Sequence, residues 1–376
     1  MVNIIADNII SALGFSSEEN YRNLKNGISG LKTSQNMFGM EGNFCTSQTD
    51  DTKLNELFYG ETLQNPHKYT KFEKLSTLSA FYAIKEADID ASSPQTAFIL
   101  STTKGNIQLL EHPNYDQQRV QLWHTAKLVA GFFGNNNYSV VSNACISGVC
   151  AIITAVRAIE QGRLENIVVT GADVLSKFTI SGFMSFKALS PLPCRPFDQD
   201  RCGLNIGEAA ATVVMSKYKK NDKKISFLKG SIRNDANHIS GPSRTGEGSY
   251  NALTDIISNA NINDIAFINC HGTSTPYNDE MEAIAIDRAM LNKIPINSLK
   301  GYYGHTLGAA GILETIISSY EINDGLILKT EGFQTLGVSR NVCPTTKNTN
   351  TDKNCFIKLI SGFGGTNAAA ILKKGE

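Results

Sequence analysis

Apolar residues fall in short runs bounded by small and polar residues, and two of these runs are almost unbroken. Thr96-Ala-Phe-Ile-Leu-Ser101 and Ile265-Ala-Phe-Ile-Asn-Cys270 have the pattern of strands buried on both faces. Each ends in a loop of small residues, Thr102-Thr-Lys-Gly105 in the first half and His271-Gly-Thr-Ser274 in the second. A second strand-like run then leads into a Gly/Ala-rich helix start. In the first half this is Tyr138-Ser-Val-Val-Ser-Asn-Ala-Cys-Ile-Ser-Gly148, and in the second Gly301-Tyr-Tyr-Gly-His-Thr-Leu-Gly-Ala-Ala-Gly311. Ile152, Ile153, Val156 and Ile159 recur at helical spacing before the stop signal Gln161-Gly162. Leu164-Glu-Asn-Ile-Val-Val-Thr170 reads as the next strand. Cys355-Phe-Ile-Lys-Leu-Ile360 and residues 368–372 read as paired strands around Gly362-Phe-Gly-Gly-Thr-Asn367. Alternating strands and helices predict an α/β protein with largely parallel sheets. The matching order of runs predicts an internal duplication, with halves at 1–215 and 216–376 sharing one interface. The polar stretches 34–68 and 345–354 read as surface excursions.

Composition narrows the classes. The chain has 376 residues, 41% hydrophobic and 19% charged, which excludes a disordered chain. Lys plus Arg and Asp plus Glu both total 35, so net charge gives no reason to expect nucleic acid or an anionic membrane as partner. The N-terminal residues lack the basic and apolar regions of a signal peptide, and no run of about 18 apolar residues appears. A cytoplasmic protein with reduced thiols is expected. None of the eight cysteines forms a C-x-x-C pair, so a metal site is not expected.

Cys145 stands where an apolar run ends and a helix begins. A helix N-terminus offers free N–H groups and a partial positive charge, which favour thiolate over thiol. The tight strand-to-helix turn is similar to a hydrolase nucleophile elbow. Of six histidines, His271 and His305 occupy glycine-flanked positions in the second half, equivalent to the loop and nucleophile regions of the first. A twofold duplication would bring these loops to one cleft, as a Cys-His-His site.

Five motifs in order carry a resemblance. They are Asn143-Ala-Cys-Ile-Ser-Gly148, Cys194-Arg-Pro-Phe-Asp-Gln-Asp-Arg201 with Gly207-Glu208, His271-Gly-Thr-Ser-Thr-Pro276 with Asn278-Asp279, the segment 300–311, and Gly362-Phe-Gly-Gly-Thr-Asn367. The chain resembles the elongating β-ketoacyl-acyl carrier protein synthases of the thiolase superfamily. That resemblance implies a thiolase-like fold, two pseudo-twofold-related α/β halves in αβαβα layers. It implies a decarboxylative condensation in which Cys145 holds an acyl group and His271 and His305 stabilise the enolate made from malonyl-carrier protein. The oxyanion hole would be the backbone N–H groups of Cys145 and Phe363. Lys300 would support the site, with Glu282 as its acidic partner. Thr273 and Thr275 would hold pantetheine amides. Gly362, Gly364 and Gly365 would let the Phe363 loop gate the site, and Asp235 with His238 would form a second gating loop.

The resemblance implies no metal or organic cofactor, because carrier protein delivers the phosphopantetheine. It implies an acyl carrier protein partner and a homodimer, or a heterodimer with a related ketosynthase-like subunit. Residues 167–189, with Phe183, Met184 and Phe186, would contribute to that contact. Cys202-Gly-Leu-Asn205, Gly207-Glu-Ala-Ala210 and Thr102-Thr-Lys-Gly105 depart from the family pattern and leave chain length and pathway open, with fatty acid, polyketide and aryl polyene assembly all compatible. A noncatalytic chain-length-factor-like subunit is the alternative, and Cys145 argues against it. The His271, His305 and Lys300 set argues against a thiolase, an initiating synthase or a noncatalytic scaffold.

Overall fold

A computed structural model of the protein describes residues 1–218, 225–258 and 260–375. The apolar runs fold as strands and the periodic segments as helices. In chain order the first half contains β1 (Val2–Ser11), α1 (Ser17–Lys25), β2 (Leu31–Met37), β3 (Met40–Ser47), α2 (Asp51–Thr62), α3 (Lys71–Ala87) and β4 (Thr96–Ser101). It continues through α4 (Gln117–Val120), α5 (Leu122–Phe132), β5 (Tyr138–Val141), α6 (Ser147–Glu160), β6 (Asn166–Asp173), α7 (Lys177–Ser185), β7 (Ile206–Gly207) and β8 (Ala209–Ser216). The second half contains β9 (Ile225–Asn234), α8 (Glu247–Ile257), β10 (Ile265–Asn269), α9 (Pro276–Arg288), β11 (Pro295–Asn297), α10 (Lys300–Tyr303) and α11 (Ala310–Asp324). It ends with β12 (Leu326–Ile327), β13 (Cys343–Pro344), β14 (Thr349–Asn350), β15 (Cys355–Gly362) and β16 (Thr366–Lys374).

Strand order repeats between the halves. The first runs β5-β4-β6-β8-β1 and the second β11-β10-β15-β16-β9, with β1 and β9 paired where they meet. In each, three parallel strands are followed by two antiparallel ones. The sheets are therefore mixed, not largely parallel as the apolar runs alone suggest. The reason is local: β15 returns through the short loop at Phe363 directly into β16, and so tight a connection forces antiparallel pairing.

Helices α6 and α11 lie between the halves and pack against each other and against strands of both. Helix α3 covers the opposite face of β1, β6 and β8, while α8 covers β9 and β16 and packs on α9. This is the αβαβα layering. The central layer is apolar, with Ile152, Val156, Ile312 and Ile316 almost completely buried. The two central helices touch backbone to backbone. A Cβ on Gly148 would lie 2.8 Å from the Ile312 nitrogen, and one on Gly311 would lie 2.7 Å from the Val149 nitrogen.

Two further expectations change. Residues 34–68 form the β2–β3 hairpin and α2, which buries Leu54 and Phe58 completely. The few apolar anchors in that stretch are diluted by polar neighbours, which hid the packing. Residues 301–303 are the rest of a short helix begun at Lys300, and the strand equivalent to β5 is β11, upstream. The aromatic pair Tyr302-Tyr303 imitates a strand in sequence, but both rings are buried on a single helical turn.

Substituting Gly148 by Val should destabilise the protein by about 1–3 kcal/mol through overpacking against α11. Gly131, in α5 with nothing within 4 Å of an added Cβ, is the control: Gly131→Ala should be neutral or stabilise by up to about 1 kcal/mol. Thermal unfolding of both variants checks this.

Candidate active site

Cys145 sits in the turn between β5 and α6. Ala144 is held at φ 45°, a left-handed conformation that a non-glycine residue rarely adopts. Ser147 braces the turn: its Oγ accepts from Asn143 N–H at 2.8 Å and donates to the Ala144 carbonyl at 2.6 Å. His271 follows β10. Its backbone N–H and that of Gly272 each donate to one oxygen of Glu282, at 2.7 Å, and Asn278 Nδ2 donates to the second at 2.9 Å. His305 follows α10, with its N–H donating to the Asn205 carbonyl at 2.7 Å. Leu307 N–H donates to His305 Nδ1 at 3.3 Å. A neutral imidazole that accepts at Nδ1 carries its proton on Nε2, and that Nε2 is buried without a partner among the described residues.

These three side chains meet. The Cys145 Sγ and one nitrogen from each of His271 and His305 lie within 4.8 Å of one another. The imidazole rings are edge to face, 4.9 Å between centroids. They form the floor of a cleft of about 440 Å³ whose walls include Phe183, Phe186, Thr273, Thr275, Pro276 and Phe363. The Thr273 and Thr275 hydroxyls share a hydrogen bond of 2.9 Å. The Phe363 ring lies against Phe183 and Phe186, with centroids 5.8 and 5.5 Å away, and its N–H points at the Cys145 sulfur. Phe183 and Phe186, which the resemblance linked to a subunit contact, therefore pack on the Phe363 loop.

The second loop joins the first. Asp235 N–H donates to the Gly365 carbonyl at 2.8 Å, Gly364 N–H donates to the Ile239 carbonyl at 2.7 Å, and His238 lines the cleft. Positive φ at Gly364 and Gly365 gives the turn that brings Phe363 over Cys145. Of the departures from the family pattern, Cys202 and Leu204 line the same cleft. Thr102 and Thr103 hold Asp173, which in turn accepts from Gly308 N–H at 2.7 Å beyond His305.

Two expectations are corrected. Glu282 is not the partner of Lys300, because both its oxygens are taken by N–H groups of the His271 loop and by Asn278. Lys300 pairs with Glu314 on α11. The expectation of a thiolate also changes. Burial pushes the Cys145 thiol up to about 11, and Lys104, Lys300 and the Phe363 N–H only partly offset it.

Burial, and after it Lys300, holds both histidines well below the usual range, so they are neutral at physiological pH. Burial raises Glu282 to about 7 and Asp279 to about 6. Glu314 stays below its ordinary value because Lys300 and Lys358 overcome its burial. Neither Glu314 nor Lys358 was singled out from sequence. The available signal was a lone charge in an apolar run: Glu314 in Ala310-Gly-Ile-Leu-Glu-Thr-Ile-Ile317 and Lys358 in Cys355-Phe-Ile-Lys-Leu-Ile360.

Among the described residues, Cys145, His271 and His305 are the group able to hold a metal ion. Thiolate and imidazole suit a soft divalent ion. The buried lysines beside the histidines oppose one electrostatically.

Comparison with known proteins places the chain. Residues 1–221 match the N-terminal domain model of β-ketoacyl synthases, and residues 226–334 the C-terminal domain model. The chain belongs to the β-ketoacyl synthase family. It is 33% identical over 258 residues to 3-oxoacyl-[acyl-carrier-protein] synthase 2 of Rhizobium meliloti, covering 63% of this chain and 61% of that protein. It is 33% identical over 267 residues to the mitochondrial 3-oxoacyl-[acyl-carrier-protein] synthase of Arabidopsis thaliana, covering 64% and 57%. The matched region thus spans about three fifths of these relatives' own lengths. The fold is similar to that of a β-ketoacyl synthase from Burkholderia phymatum, with TM-score 0.88 and 23% identity over 100% of this chain and 99% of that one. It is also similar to a structure of the ketosynthase ApeO with its chain length factor ApeC from Xenorhabdus doucetiae, with TM-score 0.85 and 24% identity over 100% and 98%.

A buried, protonated thiol should alkylate slowly at neutral pH. In the absence of an acyl donor, iodoacetamide modification of Cys145, followed by peptide mapping, should accelerate about tenfold per pH unit from about pH 7 to 10. A rate already level near pH 7 would mean that Cys145 rests as a thiolate.

Proposed function

We propose that the protein is a β-ketoacyl synthase that joins a Cys145-bound acyl group to malonyl-acyl carrier protein with loss of carbon dioxide. The observation that carries this reading is the convergence of one thiol and two neutral imidazoles at the buried end of a cleft.

The reaction divides into two steps. In the first, a neutral imidazole takes the thiol proton as Cys145 Sγ attacks the carbonyl of an acyl-pantetheine thioester. The tetrahedral oxyanion forms beside the N–H groups of Cys145 and Phe363. The carbon–sulfur bond to pantetheine breaks, and its thiolate leaves with the proton. In the second, a malonyl thioester occupies the cleft. Its carbon–carbon bond breaks, carbon dioxide departs, and the electron pair becomes an enolate. His305 Nε2–H is oriented to donate to the enolate oxygen, since Leu307 N–H occupies the other nitrogen. His271 is the second donor. The enolate carbon then attacks the acyl carbonyl, and Cys145 leaves as thiolate and takes a proton from solvent. Every group involved is a side chain or backbone N–H of this chain, so no cofactor is required by these steps.

Thr273 and Thr275 stand on the cleft wall where pantetheine amides would pass, and their hydroxyls can both donate and accept. The partner is an acyl carrier protein. The protein works as a homodimer or with a ketosynthase-like subunit, the latter supported by the chain length factor in the Xenorhabdus structure. Among the described residues no helix is long and apolar enough to cross a membrane, and the cysteines are free, which supports a cytoplasmic reading.

Mass spectrometry with acyl-carrier proteins should find an adduct on Cys145 that is absent from Cys145→Ala. His271→Ala and His305→Ala should each slow carbon dioxide release from malonyl-carrier protein by about 10²–10³-fold. Release unchanged in either variant would remove that histidine from the enolate role.

A further inference from the structure

Strand β15 is apolar from Cys355 to Ile360 except at its centre. Lys358 lies there between Ile357 and Leu359, and its side chain has no exposed surface. An unpaired ammonium at such a place costs several kcal/mol. Lys358 faces four acceptors: Glu314 Oε2 at 2.7 Å, Asn269 Oδ1 at 2.7 Å, and the Asn269 and Cys270 carbonyls at 3.3 and 3.4 Å. Cys270 is the residue before His271. The other Glu314 oxygen takes Lys300, so two lysines, 0% and 1% exposed, share one carboxylate that is 3% exposed. An ordinary structural ion pair balances its charges; this triad carries one positive charge too many.

Among the described residues the other neighbouring acids form no ion pair with either lysine, and Glu282 acts on Lys358 only through space. Glu282 and Asp279, from α9, turn their oxygens to the N–H groups of His271, Gly272, Ser274 and Phe197. Asp173, from β6, faces Thr102, Thr103 and Gly308. Lys104, on the loop after β4, adds further positive charge near Cys145 and His305.

We infer that Lys358 is a positioning residue for condensation: its ammonium ties the Asn269–Cys270 strand end to Glu314, fixing the His271 loop, and places the triad's extra positive charge behind the imidazoles where the enolate develops. The inference rests on the condensing reading above. Lys358 also adds to the influences that hold both histidines below their usual range, after burial and Lys300. Removing it should let them protonate more readily, and a protonated imidazole cannot take the thiol proton.

The test compares the full-length protein with Lys358→Met and Lys358→Gln, the second keeping a donor without the charge. Acyl loading of Cys145 and carbon dioxide release from malonyl-carrier protein are read separately from about pH 5 to 9. In both variants kcat for release should fall at least about tenfold with little change in KM, and loading at alkaline pH should fall much less. The acid limb of the pH profile should move to higher pH. An unmoved acid limb, an equal fall in loading and release, or failure of both variants to fold would reduce Lys358 to a structural ion-pair partner and overturn the inference. An unmodified protein that loads Cys145 but releases no carbon dioxide would instead overturn the condensing reading.

Discussion

The backbone contact between α6 and α11 is the constraint on which the rest depends. These helices come from different halves of the chain and begin at equivalent positions. Gly148 and Gly311 let their first turns touch with no side chain between them. Cys145 lies three residues before Gly148, and His305 six before Gly311, so the depth of that contact sets how closely sulfur and imidazole approach. His271 comes from the end of β10 beside them, and the Phe363 loop from the β15–β16 return. A core built around two small residues thus becomes the means of assembling four loops.

The electrostatics of the assembled site follow from its burial. Desolvation keeps the thiol protonated and the imidazoles neutral, so the resting site holds little charge at its reacting atoms. The charge is kept behind them, in Lys300, Glu314 and Lys358. Such a site is poorly suited to a permanent cation and well suited to an anion that exists only during reaction. Backbone strain accompanies this arrangement. Ala144, Ser274 and Leu307 all adopt left-handed conformations beside the reacting groups, each at a cost of about 1–3 kcal/mol that surrounding hydrogen bonds must offset.

The duplicated strand order and the convergence of Cys145, His271 and His305 were legible because each rests on a short local pattern, an apolar run ending in small residues. What was not legible depended on how the elements pack and not on any local spacing. Glu282 matched the expected spacing from His271, yet its oxygens go to the backbone of that same loop. The carboxylate that meets Lys300 is Glu314 on α11, two helices after Glu282, and only the packing of α11 against the sheet chooses between them. The burial that raises the Cys145 thiol is hidden for a related reason: a helix start can be read from residue types, whereas depth of burial is set by tertiary packing. Lys358 stood in plain view as the lone charge of an apolar strand, but its acceptors come from β10 and α11, which no local pattern connects.

The central claim is that this site makes a carbon–carbon bond between two thioester-bound groups. The most direct measurement supplies Cys145 with an acyl group labelled at C1 and malonyl-carrier protein labelled at C2, both with carbon-13, and examines the carrier-bound product by NMR. The account predicts one-bond coupling between the two labelled carbons, absent when Cys145→Ala replaces the native protein. Labelled carbons that remain on separate molecules, with the acyl group merely hydrolysed or returned to carrier, would contradict it.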